Sequence, residues 1–265
     1  MPISNDVDAA TCFPEHFALT GKHVIVTGAG RGLGQGAALS AAAAGATVSL
    51  VARSEDQLNE TAEIIRGRGG DCHVIPADLS DTDALEGLVD GLWARQPVHG
   101  IVHSAGVQLR KEAVDLTPDD WRFVQRMNVE APVFLSTAIA RRQIEAEAGG
   151  SHVFIGSLNS SIALPRIAPY VASKTAIVGV ARSFSTEWAP AGIRSNVIGP
   201  GYFHTKLTEG LLGQQDQLDR ILGRIPMGKL GNPSDIGGMA VFLLSDASAY
   251  VSGQLLNVDG GWLGA

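Results

Sequence analysis

Tyr170 and Lys174 stand four positions apart in the run Tyr170-Val171-Ala172-Ser173-Lys174, inside a stretch, Pro169 to Trp188, that reads as a helix. That step puts both side chains on one helical face. A phenol ionises near pH ~10 in water, and a neighbouring ammonium would favour the phenolate, bringing it toward the range useful for proton transfer. Thirteen residues before Tyr170, Ser157 follows an apolar strand candidate, His152 to Gly156. Its hydroxyl would stand at the carboxyl end of a sheet, where ligands bind in open α/β folds. A Tyr/Lys pair alone would read as surface packing, but a further signal lies upstream. Thr27-Gly28-Ala29-Gly30-Arg31-Gly32-Leu33-Gly34 joins a strand candidate to a helix candidate. Glycines there permit a tight turn and let a pyrophosphate approach backbone N–H groups at the positive end of the helix. The spacing is Gly28-x-x-x-Gly32-x-Gly34 rather than G-x-G-x-x-G, and a purely steric glycine turn is the alternative.

Short β-branched runs alternate with longer helical stretches, the pattern of a parallel sheet covered on both faces. The predicted strands are His23 to Thr27, Thr47 to Ala52, Cys72 to Pro76, His99 to Ser104, His152 to Gly156, Arg194 to Ile198 and Gln254 to Val258. Between them Leu33 to Ala44, Ser54 to Arg68, Asp81 to Arg95, Pro118 to Glu147, Pro169 to Trp188 and Pro233 to Leu244 read as helices with polar or proline starts. Gly45, Gly69-Gly70, Gly149-Gly150 and Gly192 mark where the chain should turn back. The expected fold is α/β, a single-domain Rossmann fold with a doubly wound, seven-stranded parallel sheet. Residues 201–228 break the alternation with short helical pieces between glycines. A long excursion after a strand end is expected to be a substrate lid, with a structural insertion as the alternative.

The chain has 265 residues, 45% of them hydrophobic, enough for one large core. A single domain over residues 21–265 is expected, preceded by an N-terminal arm over 1–20. Acidic residues outnumber basic ones, 27 to 20, for a formal charge of -7, which excludes a general attraction to nucleic acid or anionic lipid. Cys12 and Cys72 form neither a disulfide framework nor a metal-ligand spacing, so no metal is expected and a cytoplasmic location is. The arm carries Asp6, Asp8 and Glu15 and lacks the pattern of a secretion signal. Gly32 to Ala52 is uncharged and long enough to cross a bilayer, but a helix followed by a buried parallel strand would look the same.

Taken together these motifs closely resemble the short-chain dehydrogenase/reductase family, from about Lys22 to Gly261. The family pattern T-G-x-x-x-G-x-G falls on Thr27 to Gly34, N-N-A-G on His103-Ser104-Ala105-Gly106, its helical Asn on Asn128, its Ser on Ser157, Y-x-x-x-K on Tyr170 with Lys174, and its P-G pair on Pro200-Gly201. The resemblance implies strand order 3-2-1-4-5-6-7, hydride transfer between nicotinamide and a secondary alcohol or ketone, and a homotetramer. It implies that Tyr170 passes the proton, Lys174 holds the nicotinamide ribose and tunes the tyrosine, Ser157 hydrogen-bonds the reacting oxygen, and Asn128 holds a water leading to Lys174. Cofactor contacts are implied for Gly28, Arg31, Gly32, Leu33, Gly34, Arg53, Asp78, Leu79, Ser104, Ala105, Gly106, Pro200, Gly201, Phe203 and Thr205. His103-Ser104 departs from the two asparagines of the pattern. Ser104 can keep only part of that hydrogen bonding, and His103 is expected to be a buried histidine bonded to backbone.

Members that prefer NAD usually carry a carboxylate at the end of the second strand, where this chain has Ala52 followed by Arg53. With Arg31 in the glycine turn, two guanidinium groups could converge on a 2′-phosphate, so NADP(H) is expected, with NAD(H) as the alternative. The tail from Arg224 to Trp262 resembles members acting on gluconate-like sugar acids and also 3-oxoacyl carrier-protein reductases. Arg166 and Lys206 could bind an anionic substrate, whereas Phe203, Leu207, Leu211 and Leu212 would suit a hydrophobic ketone. A regulator that binds NADP(H) with little turnover is the reading from another class.

Overall fold

A computed structural model describes residues 15–206, 208–212 and 214–265. Cys12, most of the expected arm, Leu207 and the side chains of Leu211 and Leu212 lie outside the described residues. The strands are β1 (His23–Thr27), β2 (Thr47–Ala52), β3 (Asp71–Pro76), β4 (Val98–His103), β5 (Gly150–Ile155), β6 (Ile193–Pro200) and β7 (Leu255–Val258). They form one sheet in the order β3-β2-β1-β4-β5-β6-β7, with every pairing parallel. This is the doubly wound Rossmann arrangement expected from the motifs. The order reverses beside β1, which opens a crevice at the carboxyl ends of β1 and β4.

The helices are α1 (Gly32–Ala43), α2 (Glu55–Gly67), α3 (Leu85–Trp93), α4 (Pro118–Gln125), α5 (Ala131–Glu145), α6 (Ala168–Trp188), α7 (Glu209–Leu212), α8 (Gln215–Leu222) and α9 (Pro233–Leu244). Alternation along each strand sends side chains to opposite faces. In β1, Val24 and Val26 join the core beneath α1, α2 and α9, while Ile25 joins the one beneath α3 and α5. Small residues bring α1 and α9 together: a Cβ on Gly36 would lie 2.3 Å from the Pro233 carbonyl oxygen. Proline starts are backed by side-chain caps, Thr117 with Asp120 at α4 and Asn232 with Asp235 at α9.

Three expectations need correction. The helix anticipated over Pro118 to Glu147 is interrupted by a π-helical turn, Arg126–Glu130, which carries Asn128. One extra residue rotates the following face by about 100°, but the turn spans only 5 residues, too few for a hydrophobic period to mark it. The Asp81 to Arg95 helix begins with a 3₁₀ turn, Thr82–Ala84, and becomes α-helical only at Leu85. Gly150 belongs to β5 and only Gly149 adopts the left-handed turn conformation, at φ 63°.

His103 is buried as expected, but its partner is a side chain rather than backbone. Its Nε2 lies 2.7 Å from Ser136 Oγ, which lies 3.0 Å from His152 Nδ1. His152 Nε2 in turn meets Gln143 Oε1 at 3.0 Å. Gln143 Nε2 donates to the carbonyls of Val98 and His99, so Oε1 is the acceptor and the His152 proton sits on Nε2. Ser136 must then donate to His152 and accept from His103, which leaves His103 Nδ1 as a buried acceptor without a partner. Burial holds both imidazoles neutral, pushing His152 down to about 3 and His103 well below the usual range. Ser136→Ala removes both bonds at the hinge of this chain. A fall in stability of about 2–4 kcal/mol is expected in urea unfolding, from two buried groups losing partners, whereas an unchanged midpoint would contradict the directional network.

Candidate active site

A cleft of about 920 Å³ runs along the carboxyl ends of the strands. Its floor at one end is the glycine turn. Gly28 has φ 67° and lies so close to the end of β4 that a Cβ would sit 2.9 Å from the Ala105 nitrogen. A Cβ on Gly34 would sit 2.3 Å from the Gly28 carbonyl oxygen. Backbone, not side chains, therefore surfaces this part of the cleft, which suits a diphosphate at the start of α1. Thr27 Oγ1 accepts from the Ser104 and Ala105 backbone nitrogens, both at 3.1 Å, and locks β4's exit against the turn.

Arg31 and Arg53 both line the cleft, and neither makes an ion pair among the described residues. Ala52 also lines it, with no carboxylate at that strand end. The residues present thus fit a dinucleotide bearing a 2′-phosphate. Gly32, Leu33, Leu79, Ser104, Gly106, Pro200, Gly201, Phe203 and Thr205 line the cleft as well. Asp78 does not. Its carboxylate accepts from the Ser80 nitrogen and hydroxyl, which hold it below the usual range, with a smaller pull from Arg53.

At the other end Ser157, Tyr170 and Lys174 converge. Ser157 leaves β5 in extended conformation and caps a 3₁₀ turn, Leu158–Ser160, accepting from the Asn159 nitrogen at 3.1 Å. Ser160 Oγ donates to the Lys174 carbonyl, which pins this turn to α6. The Ser157 hydroxyl is near enough to the Tyr170 oxygen to favour the phenolate. Lys174 Nζ lies 5.6 Å from the Tyr170 ring centre and donates to the Ile155 carbonyl at 2.7 Å. Tyr170 is 8% exposed and Lys174 6%. The expected depression of the phenol is reversed. Burial pushes Tyr170 above its ordinary value, only partly offset by the Ser157 hydroxyl, and burial pushes Lys174 down to about 8. Desolvation of both groups outweighs their mutual electrostatics.

Asn128 sits behind this group, 1% exposed and outside the cleft lining. Its amide is already committed: Oδ1 accepts from the Val107 nitrogen, and Nδ2 donates to the Val107 carbonyl and Ser173 Oγ. A water held by Asn128 would have to use its backbone carbonyl, not its side chain. Arg166 also lies outside the lining. It adopts φ 69° and pairs with Glu112 at 2.9 Å. Lys206 does line the cleft, beside Glu209 at 3.4 Å. Sequence reasoning missed Arg110, Asn159 and Tyr202, which also line it. They lie on loops, where no periodicity marks direction. Among the described residues no group of three His, Cys, Asp or Glu side chains could hold a metal, and no helix is long and apolar enough to cross a membrane.

A phenol, an ammonium and a hydroxyl gathered over the strand ends, next to a phosphate-sized glycine turn, define the short-chain class of oxidoreductases. Residues 28–263 match the family model described as Enoyl-(Acyl carrier protein) reductase, and the chain belongs to this short-chain dehydrogenase/reductase family as an oxidoreductase. It is 37% identical to the 2-dehydro-3-deoxy-D-gluconate 5-dehydrogenase of Bacillus subtilis, over 93% of this chain and 96% of that protein. It is 35% identical to the gluconate 5-dehydrogenase of Gluconobacter oxydans, over 94% and 97% of the two chains. A gluconate 5-dehydrogenase from Burkholderia cenocepacia, solved with NADP and tartrate, superposes with a TM-score of 0.90 at 33% identity, covering 95% of this chain and 98% of that one.

Proposed function

We propose that the protein is an NADP(H)-dependent oxidoreductase that interconverts a secondary alcohol and its ketone on a small hydroxy acid of the sugar-acid class. The observation that carries this reading is the gathering of Ser157, Tyr170 and Lys174 in the one cleft that also presents Arg31 and Arg53. A bound nicotinamide would supply or take up the hydride at the reacting carbon. In reduction Tyr170 gives its hydroxyl proton to the carbonyl oxygen, and in oxidation its phenolate removes the proton from the alcohol. Ser157 donates to the same oxygen and opposes the charge that builds there. Lys174 would hold the nicotinamide ribose and pass a proton to Tyr170, and a water on the Asn128 backbone carbonyl would restore that proton to Lys174. Arg110 lines the same cleft and is the guanidinium we assign to the acid's carboxylate. The names of the gluconate-type relatives support that substrate class.

The test is a panel: D-gluconate with NADP+, and acetoin, butanone and ethyl acetoacetate with NADPH, each followed by NADPH absorbance. Turnover of D-gluconate is the expected result, and no turnover anywhere in the panel would overturn the reading. For the cofactor, Arg53→Asp should weaken NADPH binding about 10- to 100-fold, from the loss of charge-assisted bonds to a 2′-phosphate. Fluorescence quenching by NADPH and NADH measures this, and undiminished NADPH affinity would remove Arg53 from the phosphate site.

We further propose that residues 201–228 form the lid of a single catalytic domain, and that the protein works in the cytoplasm as a homotetramer. Gly201, Tyr202, Phe203, Thr205, Lys206 and Thr208 line the cleft, and α8 packs Ile221 against Leu158 and Trp262, which supports the lid. Phe134 and Ile144 on α5 are 49% and 45% exposed, apolar surface suited to pairing α5 across a subunit interface. Light scattering at micromolar concentration should give four times the chain mass, and a monomer would reject that assembly.

A further inference from the structure

We infer that Asn159 recognises a hydroxyl on the carbon next to the reacting carbon, so that the preferred substrate is a vicinal diol or its α-hydroxyketone. This rests on the proposed function and specifies its substrate. Asn159 lines the cleft, is only 6% exposed, and follows Ser157 by two residues. Its backbone is fully engaged: the nitrogen donates to Ser157 Oγ at 3.1 Å, and the carbonyl accepts from Thr175 Oγ1 at 3.4 Å. Its carboxamide is not. Among the described residues the side chain makes no hydrogen bond, and Oδ1 is shielded from water with no partner. A buried amide left this way is unfavourable and calls for an explanation; unlike the other buried atoms without a partner, such as His103 Nδ1, this one belongs to a residue of the cleft wall close in sequence to Ser157. The mechanism above gives it no role.

The geometry narrows what the ligand group can be. Because the Asn159 nitrogen is bonded to Ser157 Oγ, the residue is tied to the hydroxyl that holds the reacting oxygen. Both residues line the same cleft, and the proposal places the substrate atom that meets the Asn159 amide beside that oxygen. The terminal torsion of an asparagine is broad and two-fold, so a half-turn exchanges Oδ1 and Nδ2 at the cleft wall. The amide can then accept a proton from the substrate or donate one to it. A hydroxyl both donates and accepts and matches either orientation. A methylene matches neither, and would leave the amide buried and unpaired in the complex. The site thus selects against deoxy analogues more than it favours its own substrate, because the penalty falls on the group left without a partner.

The test uses the whole enzyme and the panel above. The substrate with the highest kcat/KM is compared with the analogue lacking the hydroxyl beside the reacting carbon; for acetoin that analogue is butanone. Wild-type enzyme should prefer the hydroxylated member by about 10- to 100-fold or more. In Asn159→Leu that preference should collapse toward parity, with the loss concentrated in the hydroxylated member. A best substrate with no neighbouring hydroxyl, or a preference kept intact in Asn159→Leu, overturns the assignment while leaving the proposed function standing. Absence of all turnover overturns the proposed function instead. The wild-type comparison needs no variant, and Asn159→Ser, which keeps a hydroxyl near the same place, should retain part of the preference if Asn159→Leu does not fold.

Discussion

Tyr170→Phe is expected to lower kcat by about 10²- to 10⁴-fold, the range supplied by a positioned proton donor, while NADPH still binds. The phenol is buried on α6, near Ser157 and one turn from Lys174, so the substitution removes a single oxygen from an otherwise unchanged wall. Burial raises Tyr170 above its ordinary value, which keeps the phenol protonated at neutral pH and suits it to donate in the direction of ketone reduction. Oxidation of the alcohol needs the phenolate and should gain with rising pH. Steady-state rates in both directions across a pH series check this. Turnover by Tyr170→Phe close to wild type, with cofactor affinity retained, would remove Tyr170 from the chemistry.

Lys174→Met should reduce kcat by a comparable factor, on the order of 10²-fold or more, through loss of ribose contact and of the proton returned to Tyr170. The same variant carries a second signature that a bystander lysine would lack. Burial lowers Lys174 from 10.5 to about 8. Between those values the unfolded chain binds the proton and the folded chain does not, so this group makes stability rise with pH across that window. Below pH 8 both states carry the proton, and the folded state bears the full cost of burying an ammonium. Lys174→Met should therefore lose this upward slope of stability between about pH 8 and 10.5. Urea midpoints of both proteins through that range measure it. Parallel pH profiles would mean that Lys174 is solvated, and with it the tight packing over Ile155 would be wrong.

Sequence reasoning reached the fold because its signals are local. β1, β2 and α9 lie where the residues alone put them, since strand runs, proline starts and left-handed glycines act over a few residues. Motif spacing also reached Ser157, Tyr170 and Lys174, because a four-residue step on a helix and a residue at a strand end have fixed directions in space. The errors fall where direction depends on packing. The π turn at Asn128 depends on what α4 and α5 must pack against, and no hydrophobic period marks it. Asp78 turns to Ser80 instead of the cleft, because a loop carries no period that tells a reader where a side chain faces.

What the amino-acid order determined by itself was the separate strands, the glycine turn and the phenol–ammonium spacing, each set by interactions between near neighbours along the chain; the strand order came with the family resemblance, since β1 pairs with a strand some 75 residues away, β4. Only the tertiary structure decided how far burial shifts Tyr170 and Lys174, that the Asn128 amide is spent on Val107, and that Asn159 keeps a carboxamide without a partner. Desolvation and hydrogen-bond satisfaction depend on every atom that surrounds a group, and those atoms come from segments distant in sequence.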